Sequence, residues 1–207
     1  MSAPRVDYFH SFRSPYSYLA APRAFALAER CGADVVFRGV IPMAMRGQAV
    51  PRAKQLHTLR DVKREAVRLG MPFGRIHDPI GPGATRCLRA ATLAVDLGRI
   101  RPFVLAAGQA IWARGVDVAS DAGLRVVCER AGVPWEDARA ALDDPVRQAR
   151  VEADTEALQS LGHWGVPVLV HEGELFWGQD RVQDLEAKLS AAAPGGAPAG
   201  GAPARPA

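Results

Sequence analysis

Apolar and polar residues alternate along Arg5-Val6-Asp7-Tyr8-Phe9-His10, the period of two expected of a strand. Ser14 and Pro15 follow, a hydroxyl that can cap a helix and a proline suited to its first turn. The run through Leu27-Ala28-Glu29-Arg30 reads as that helix, stopped near Gly32. Asp34 to Val40 returns to a strand pattern. Strand, helix and strand at these lengths make a βαβ unit with a parallel strand pair.

From about Arg52 the pattern is helical. Leu56, Leu59, Val62, Ala66 and Leu69 recur at three or four residues and predict an apolar face ending at Gly70. After a Pro/Gly-rich loop from His77 to Gly83, Cys87, Ala91, Ala94 and Val95 mark a second helix closed by Gly98. Pro102 opens a third, Ser120 caps a fourth that ends at Gly132, and Pro134 opens a short fifth. Asp144-Pro145 starts a sixth, with Val146, Ala149, Ala153, Ala157 and Leu161 as its apolar residues. Strand patterns then return as Val166 to His171 and Leu175 to Trp177, flanking the turn Glu172-Gly173-Glu174. Asp180 to Leu189 closes the pattern as an amphipathic helix.

The order is therefore βαβ, an all-α block, and ββα. The two outer units can complete one four-stranded sheet, which predicts an α/β chain with a thioredoxin-like fold and an all-α domain inserted between its halves. The expected division is residues 1–45 and 163–190 for the discontinuous thioredoxin-like domain and 46–162 for the inserted helical domain. The Ala/Pro/Gly stretch 191–207 cannot bury a core and is expected to be a disordered tail.

Composition narrows the function. At 207 residues and 48% apolar content the chain can bury an ordinary core. No segment has the length of apolar residues a membrane span needs, and the start lacks a signal-peptide pattern, so the expected location is cytoplasmic and no membrane partner is expected. The net charge of +4 comes almost wholly from dispersed arginines, with Lys54, Lys63 and Lys188 the only lysines. No basic cluster is interleaved with aromatics, which argues against nucleic acid. Cys31, Cys87 and Cys128 form no C-x-x-C, so neither a dithiol centre nor a zinc site is expected. The five histidines show no metal-ligand spacing; His10 and His163 lie near candidate site segments in sequence.

Three segments carry candidate chemistry. Ser14-Pro15-Tyr16-Ser17 stands where a strand gives way to a helix, and the unpaired N–H groups and positive dipole there favour an anion. Ser14 reads either as a simple N-cap or as a hydroxyl that donates to a thiolate brought by a ligand. Gly165-Val166-Pro167 precedes a strand; Pro167 reads either as an ordinary trans proline at a strand start or as a cis proline that leaves the Val166 backbone free for a peptide-like ligand. In Phe176-Trp177-Gly178-Gln179-Asp180-Arg181, Gly178 permits close backbone approach and Asp180 opens a helix. That segment suits the carboxylate and ammonium of an amino acid, or is a cap with Trp177 in the core.

Taken together, Ser14-Pro15-Tyr16-Ser17-Tyr18-Leu19-Ala20, Lys54 with Asp61, Gly165-Val166-Pro167 and Phe176 to Arg181 resemble the 2-hydroxychromene-2-carboxylate isomerases. These are relatives of kappa-class glutathione transferases within the DsbA-like group of thioredoxin folds. The resemblance spans about Val6 to Leu189. It implies glutathione as cofactor, Ser14 as the catalytic residue holding its sulfur as thiolate, and a cis Pro167 beside Val166 pairing with the peptide backbone. It further implies that Tyr16, Trp177, Gly178, Gln179 and Asp180 bind glutathione, with the last four at the γ-glutamyl end. Arg46, Gln48, Arg52 and Lys54 are the candidates to face an aromatic carboxylate, Lys54 matching the family's spacing to Asp61 best. The asparagine common in this loop is missing, and Gln48 stands as its replacement. The implied reaction converts a 2-hydroxychromene-2-carboxylate-like acid to a trans-o-hydroxybenzylidenepyruvate-like product in aromatic catabolism, without metal, and the family suggests a homodimer. A kappa-like transferase or peroxidase and a non-catalytic thiol-peptide binding module are the alternatives.

Overall fold

The computed structural model describes residues 2–48 and 50–192. Its elements run β1 (Arg5–His10), α1 (Pro15–Cys31), β2 (Asp34–Gly39), α2 (Arg52–Arg68), α3 (Pro82–Asp96), α4 (Ile100–Trp112), α5 (Asp121–Ala131), α6 (Trp135–Ala141), α7 (Pro145–Ser160), β3 (Val168–His171), β4 (Glu174–Trp177) and α8 (Val182–Ala192). Two 3-10 turns, Met43–Arg46 and Gln179–Arg181, follow β2 and precede α8; the first lies in a stretch that carries no helical pattern. Of the stretch expected to be disordered, Ala191 and Ala192 belong to α8, and 193–207 lies outside the described residues.

The sheet order is β2-β1-β3-β4. β1 runs parallel to β2, in register from Arg5 opposite Asp34 to His10 opposite Gly39, and antiparallel to β3, with Phe9 opposite Val168. β3 and β4 form the expected hairpin. This is the thioredoxin-like α/β arrangement, with α2 to α7 between its two halves. The main core runs without a break from Val6, Tyr8 and Leu19 through Ala91, Phe103 and Leu124. A smaller cluster of Phe9, Val40, Val168 and Leu158 covers the other sheet face.

One helix buries only half of the face its periodicity suggests, and another turns a different face inward. In α2 only Val62 and Ala66 are buried, while Leu56 and Leu59 are exposed, so the first half of this helix stands away from the core. In α7 the apolar set Val146, Ala149, Ala153, Ala157 and Leu161 is exposed, and Val151, Asp154, Thr155 and Leu158 are buried instead. The cause is polar. Asp154 accepts the Gly39 N–H (3.1 Å) and pairs with Arg38 (3.0 Å), and Thr155 Oγ1 accepts the Ile41 N–H (3.1 Å). Those N–H groups lie along and just past the outer strand β2, where buried donors need a partner. Burial pushes the Asp154 carboxyl up despite the opposing pull of Arg38.

Candidate functional site

Ser14 is the N-cap of α1 in extended backbone (φ −95°, ψ 113°), and its Oγ accepts the Ser17 N–H at 3.1 Å. The same oxygen donates to the Val166 carbonyl at 3.1 Å, so the cap is also a link to the residue before Pro167. The Val166-Pro167 bond is cis. Both readings of Ser14 therefore rest on one geometry: the hydroxyl caps its helix and faces the Val166 backbone.

A cavity of about 880 Å³ opens beside this pair. Of the twelve residues singled out from sequence, ten line it, and Gln48 and Arg52 do not. Gln48 is exposed, its N–H closing the 3-10 turn on the Met43 carbonyl, and Arg52 is exposed at the first position of α2.

The ten differ in what they present. The Tyr16 hydroxyl donates to Asp61 at 2.7 Å, tying α1 to α2; burial, then this bond, raises its pKa well above the ordinary range. The bond with Tyr16 is also the first reason the Asp61 carboxyl is held below its usual range. Gln179 is buried, accepts from Arg23 and donates to Glu65 at 2.8 Å. Its side chain therefore serves a network between α1 and α2, leaving its backbone to the cavity. Trp177 is 52% exposed, so the core placement is wrong; its ring meets His163 edge-on at 4.7 Å between centroids. Gly178 has φ +118°, a backbone region that favours glycine. A Cβ there would sit 2.5 Å from Asp180 Oδ1. Asp180 is exposed beside Arg181 (3.4 Å).

On the opposite side, Arg46 is held by the Ile41 carbonyl (3.0 Å) and the Trp164 carbonyl (2.7 Å), while its Nη1 is buried without a partner. Burial lowers the pKa of this guanidinium from its ordinary value. Lys54 lines the cavity from α2 and makes no ion pair among the described residues. The site thus has a peptide-like end, at Val166, Gly178 and Asp180, and a cationic end at Arg46 and Lys54.

Other residues at the cavity were not visible in the sequence. Arg13 and Asp78 form a two-bond ion pair (2.8 Å each) between the β1–α1 loop and the Pro/Gly-rich loop. Trp112 donates to the Phe12 carbonyl at 3.3 Å, Trp164 is 48% exposed, and Ser11 is buried, its carbonyl accepting the Ser14 N–H. The only sequence signal for any of them was closeness to a flagged segment. Of the histidines, His10 is buried against Tyr8 Oη (2.9 Å) and is pushed down to about 3 by burial; it does not line the cavity. His163 stacks on Trp164. No cysteine lines the cavity; Cys87 and Cys128 are buried free thiols, and burial pushes Cys128 up to about 11.

No helix among the described residues is long and apolar enough to cross a membrane. A curated 2-hydroxychromene-2-carboxylate isomerase of Sphingobium xenophagum is 29% identical over 198 residues, covering 89% of this chain and 97% of that protein. A solved 2-hydroxychromene-2-carboxylate isomerase superposes with a TM-score of 0.76 at 24% identity, covering 89% of this chain and 94% of the other. The cytosolic disulfide reductase DsbM of Pseudomonas aeruginosa, solved with GSH, gives 0.66 at 22% identity over 89% and 98% of the two chains. The model of the DSBA-like thioredoxin domain matches residues 5–190, nearly all of the described fold, and the chain belongs to that family.

Proposed function

We propose that this protein is a glutathione-dependent isomerase that converts 2-hydroxychromene-2-carboxylate-like aromatic acids to trans-o-hydroxybenzylidenepyruvate-like products, with Ser14 stabilising the glutathione thiolate. The observation that carries the reading is the Ser14 hydroxyl at the start of α1, bonded to the Val166 carbonyl at the edge of a cavity lined by no cysteine. Dithiol chemistry lacks a residue there, whereas a thiol brought by a ligand meets a hydroxyl and a helix N-terminus. The curated relatives named as isomerases support the reaction class.

The residues present fit glutathione. The Val166 backbone offers peptide groups beside Ser14, and the Cβ-free Gly178 leaves room ahead of Asp180 for an amino-acid end. Bound there, glutathione supplies a thiolate whose reversible addition lets a conjugated double bond turn from cis to trans.

Ser14 and the Tyr16 N–H, the one first-turn N–H of α1 without a partner among the described residues, favour a negative sulfur at the positive end of the helix, lowering a thiol pKa that starts near ~8.5. For this the hydroxyl turns from the Val166 carbonyl toward the ligand, a rotation about one bond. Arg46 and Lys54 receive the substrate carboxylate, and Ile41, Pro42, Met43 and Trp112 supply apolar surface for its ring. Val166 and the Gly178 to Asp180 backbone orient the peptide end, so the reacting centre lies between two fixed groups.

Loss of the chromene acid, followed by ultraviolet absorbance with and without glutathione, tests the reading. The expected results are turnover only when glutathione is present and a fall of about 10²-fold or more in Ser14→Ala. Because removing the cap also destabilises the helix by about 1 kcal/mol, a melting curve accompanies the assay. Full activity in a folded Ser14→Ala, or turnover without glutathione, overturns the proposal.

A further inference from the structure

Among the described residues, six buried side-chain donors have no hydrogen-bond partner: Ser11 Oγ, Ser17 Oγ, Arg23 Nε, Arg46 Nη1, Arg86 Nε and Trp135 Nε1. Only the residues of two, Ser11 and Arg46, line the cavity. A buried donor without a partner costs about 1–3 kcal/mol, so such groups are rare and ask for a reason. Arg46 has one in the substrate carboxylate. Ser11 has none in anything described so far.

Its place in the sheet is specific. Ser11 follows the last residue of β1, and its carbonyl accepts the Ser14 N–H at 3.0 Å. Continuing the antiparallel register of β1 and β3 beyond Phe9 and Val168 sets Ser11 opposite Val166. On the other side, the Val40 N–H bonds the His10 carbonyl at 2.8 Å, and the parallel register sets Ser11 opposite Val40, directly before the Ile41-Pro42 segment that lines the cavity. Ser11 therefore stands at the centre of the sheet's end, between the group that faces Ser14 and the apolar wall beside Arg46. Only 2% of the residue is exposed.

We infer that Ser11 is a second catalytic hydroxyl, donating a hydrogen bond to the ring-derived oxygen of the aromatic acid while Arg46 Nη1 holds its carboxylate. This rests on the isomerase reading. When the hemiketal opens, the carbon–oxygen bond of the ring breaks with both electrons passing to the ring oxygen. The hydroxyl on the same carbon releases its proton to water and becomes a ketone, leaving a phenolate. A hydroxyl within reach of that oxygen acts where charge develops. Engaging the ligand takes a χ1 hop of Ser11, a change between ordinary staggered rotamers.

The test uses two inert acids, 2-hydroxycinnamate and cinnamate, which differ by the ring hydroxyl alone. Binding is read from quenching of the tryptophans at the cavity, with no turnover involved. The wild-type protein is expected to bind 2-hydroxycinnamate about tenfold more tightly than cinnamate, the worth of one good hydrogen bond. Ser11→Ala should erase that preference by weakening 2-hydroxycinnamate alone, and Ser11→Thr, which keeps the hydroxyl, should restore it. A wild-type protein without the preference, a Ser11→Ala that keeps it, or one that weakens both acids equally overturns the inference. Glutathione titration of the wild-type protein separates the two readings. Absence of glutathione binding brings down the isomerase, while the hydroxyl preference is read independently.

Discussion

The cavity has two walls, and they are built differently. One stands on the ends of β1, β3 and β4, where Ser14, Val166 and Gly178 are set by backbone bonds, a helix cap and a core that continues beneath them. The other is the first half of α2, whose residues 52–60 include no buried side chain and which reaches the rest through Tyr16–Asp61 and Gln179–Glu65. The sheet wall holds groups whose positions must not vary. The α2 wall holds side chains, Lys54 among them, that can be exchanged without disturbing the core. A site divided this way keeps its chemistry fixed and leaves its ligand preference adjustable.

The largest effect that sharpens this contrast comes from acid. His10, at the base of the sheet wall, is neutral in the folded chain down to about pH 3, whereas in the unfolded chain it takes a proton below about 6.5. The unfolded state thus binds more protons across that window, and this group removes about 1.4 kcal/mol of stability per pH unit as pH falls through it. Urea denaturation at pH 7 and pH 4.5 should show a smaller loss in His10→Gln than in the wild-type protein. Equal losses would mean that His10 takes up a proton in the folded chain as readily as in the unfolded one.

A smaller effect is expected from Tyr16→Phe, which cuts a tie of the α2 wall. Stability should fall by about 1 kcal/mol, and amide exchange should speed up in residues 52–61 while β1 and β3 keep their protection. Uniform acceleration across the chain would break the contrast between the walls. The smallest structural effect belongs to Lys54→Ala. Its melting curve should match the wild type within about 0.5 kcal/mol, while KM for the aromatic acid rises several-fold at constant kcat. A fall in kcat instead would move Lys54 into the chemical group with Ser14.

What could be read from the sequence was what local chemistry decides. Ser14-Pro15 marked the start of α1 because a cap and a first-turn proline act within a few residues, and Gly32 marked its end for the same reason. The alternation in β1 and β2 placed both strands to within a residue. The burial of only the second half of the α2 face, and the face of α7, could not be read this way. Periodicity locates an apolar stripe, yet the α7 stripe lost to Asp154 and Thr155, whose partners lie 114 to 116 residues away. Gln179 was placed in the right segment, but the network its side chain makes with Arg23 and Glu65 from two other helices had no local signal. The pairing of Arg13 with Asp78 gave no signal beyond closeness to flagged segments, because an ion pair across 65 residues has no local pattern. Ser11 was one hydroxyl in a loop until the cavity showed that it lacks a partner.

The bonds from α7 to β2 bear on how this architecture can be altered. An all-α segment between two halves of a sheet invites treatment as a cassette, to be cut out or exchanged for one from a relative. Here the segment carries the carboxylate and hydroxyl that complete the backbone of Gly39 and Ile41. Excision would leave an outer strand with bare donors, ready to pair with a second chain. A transplant would succeed only if the incoming helix brought its own acceptors at the spacing of Asp154 and Thr155.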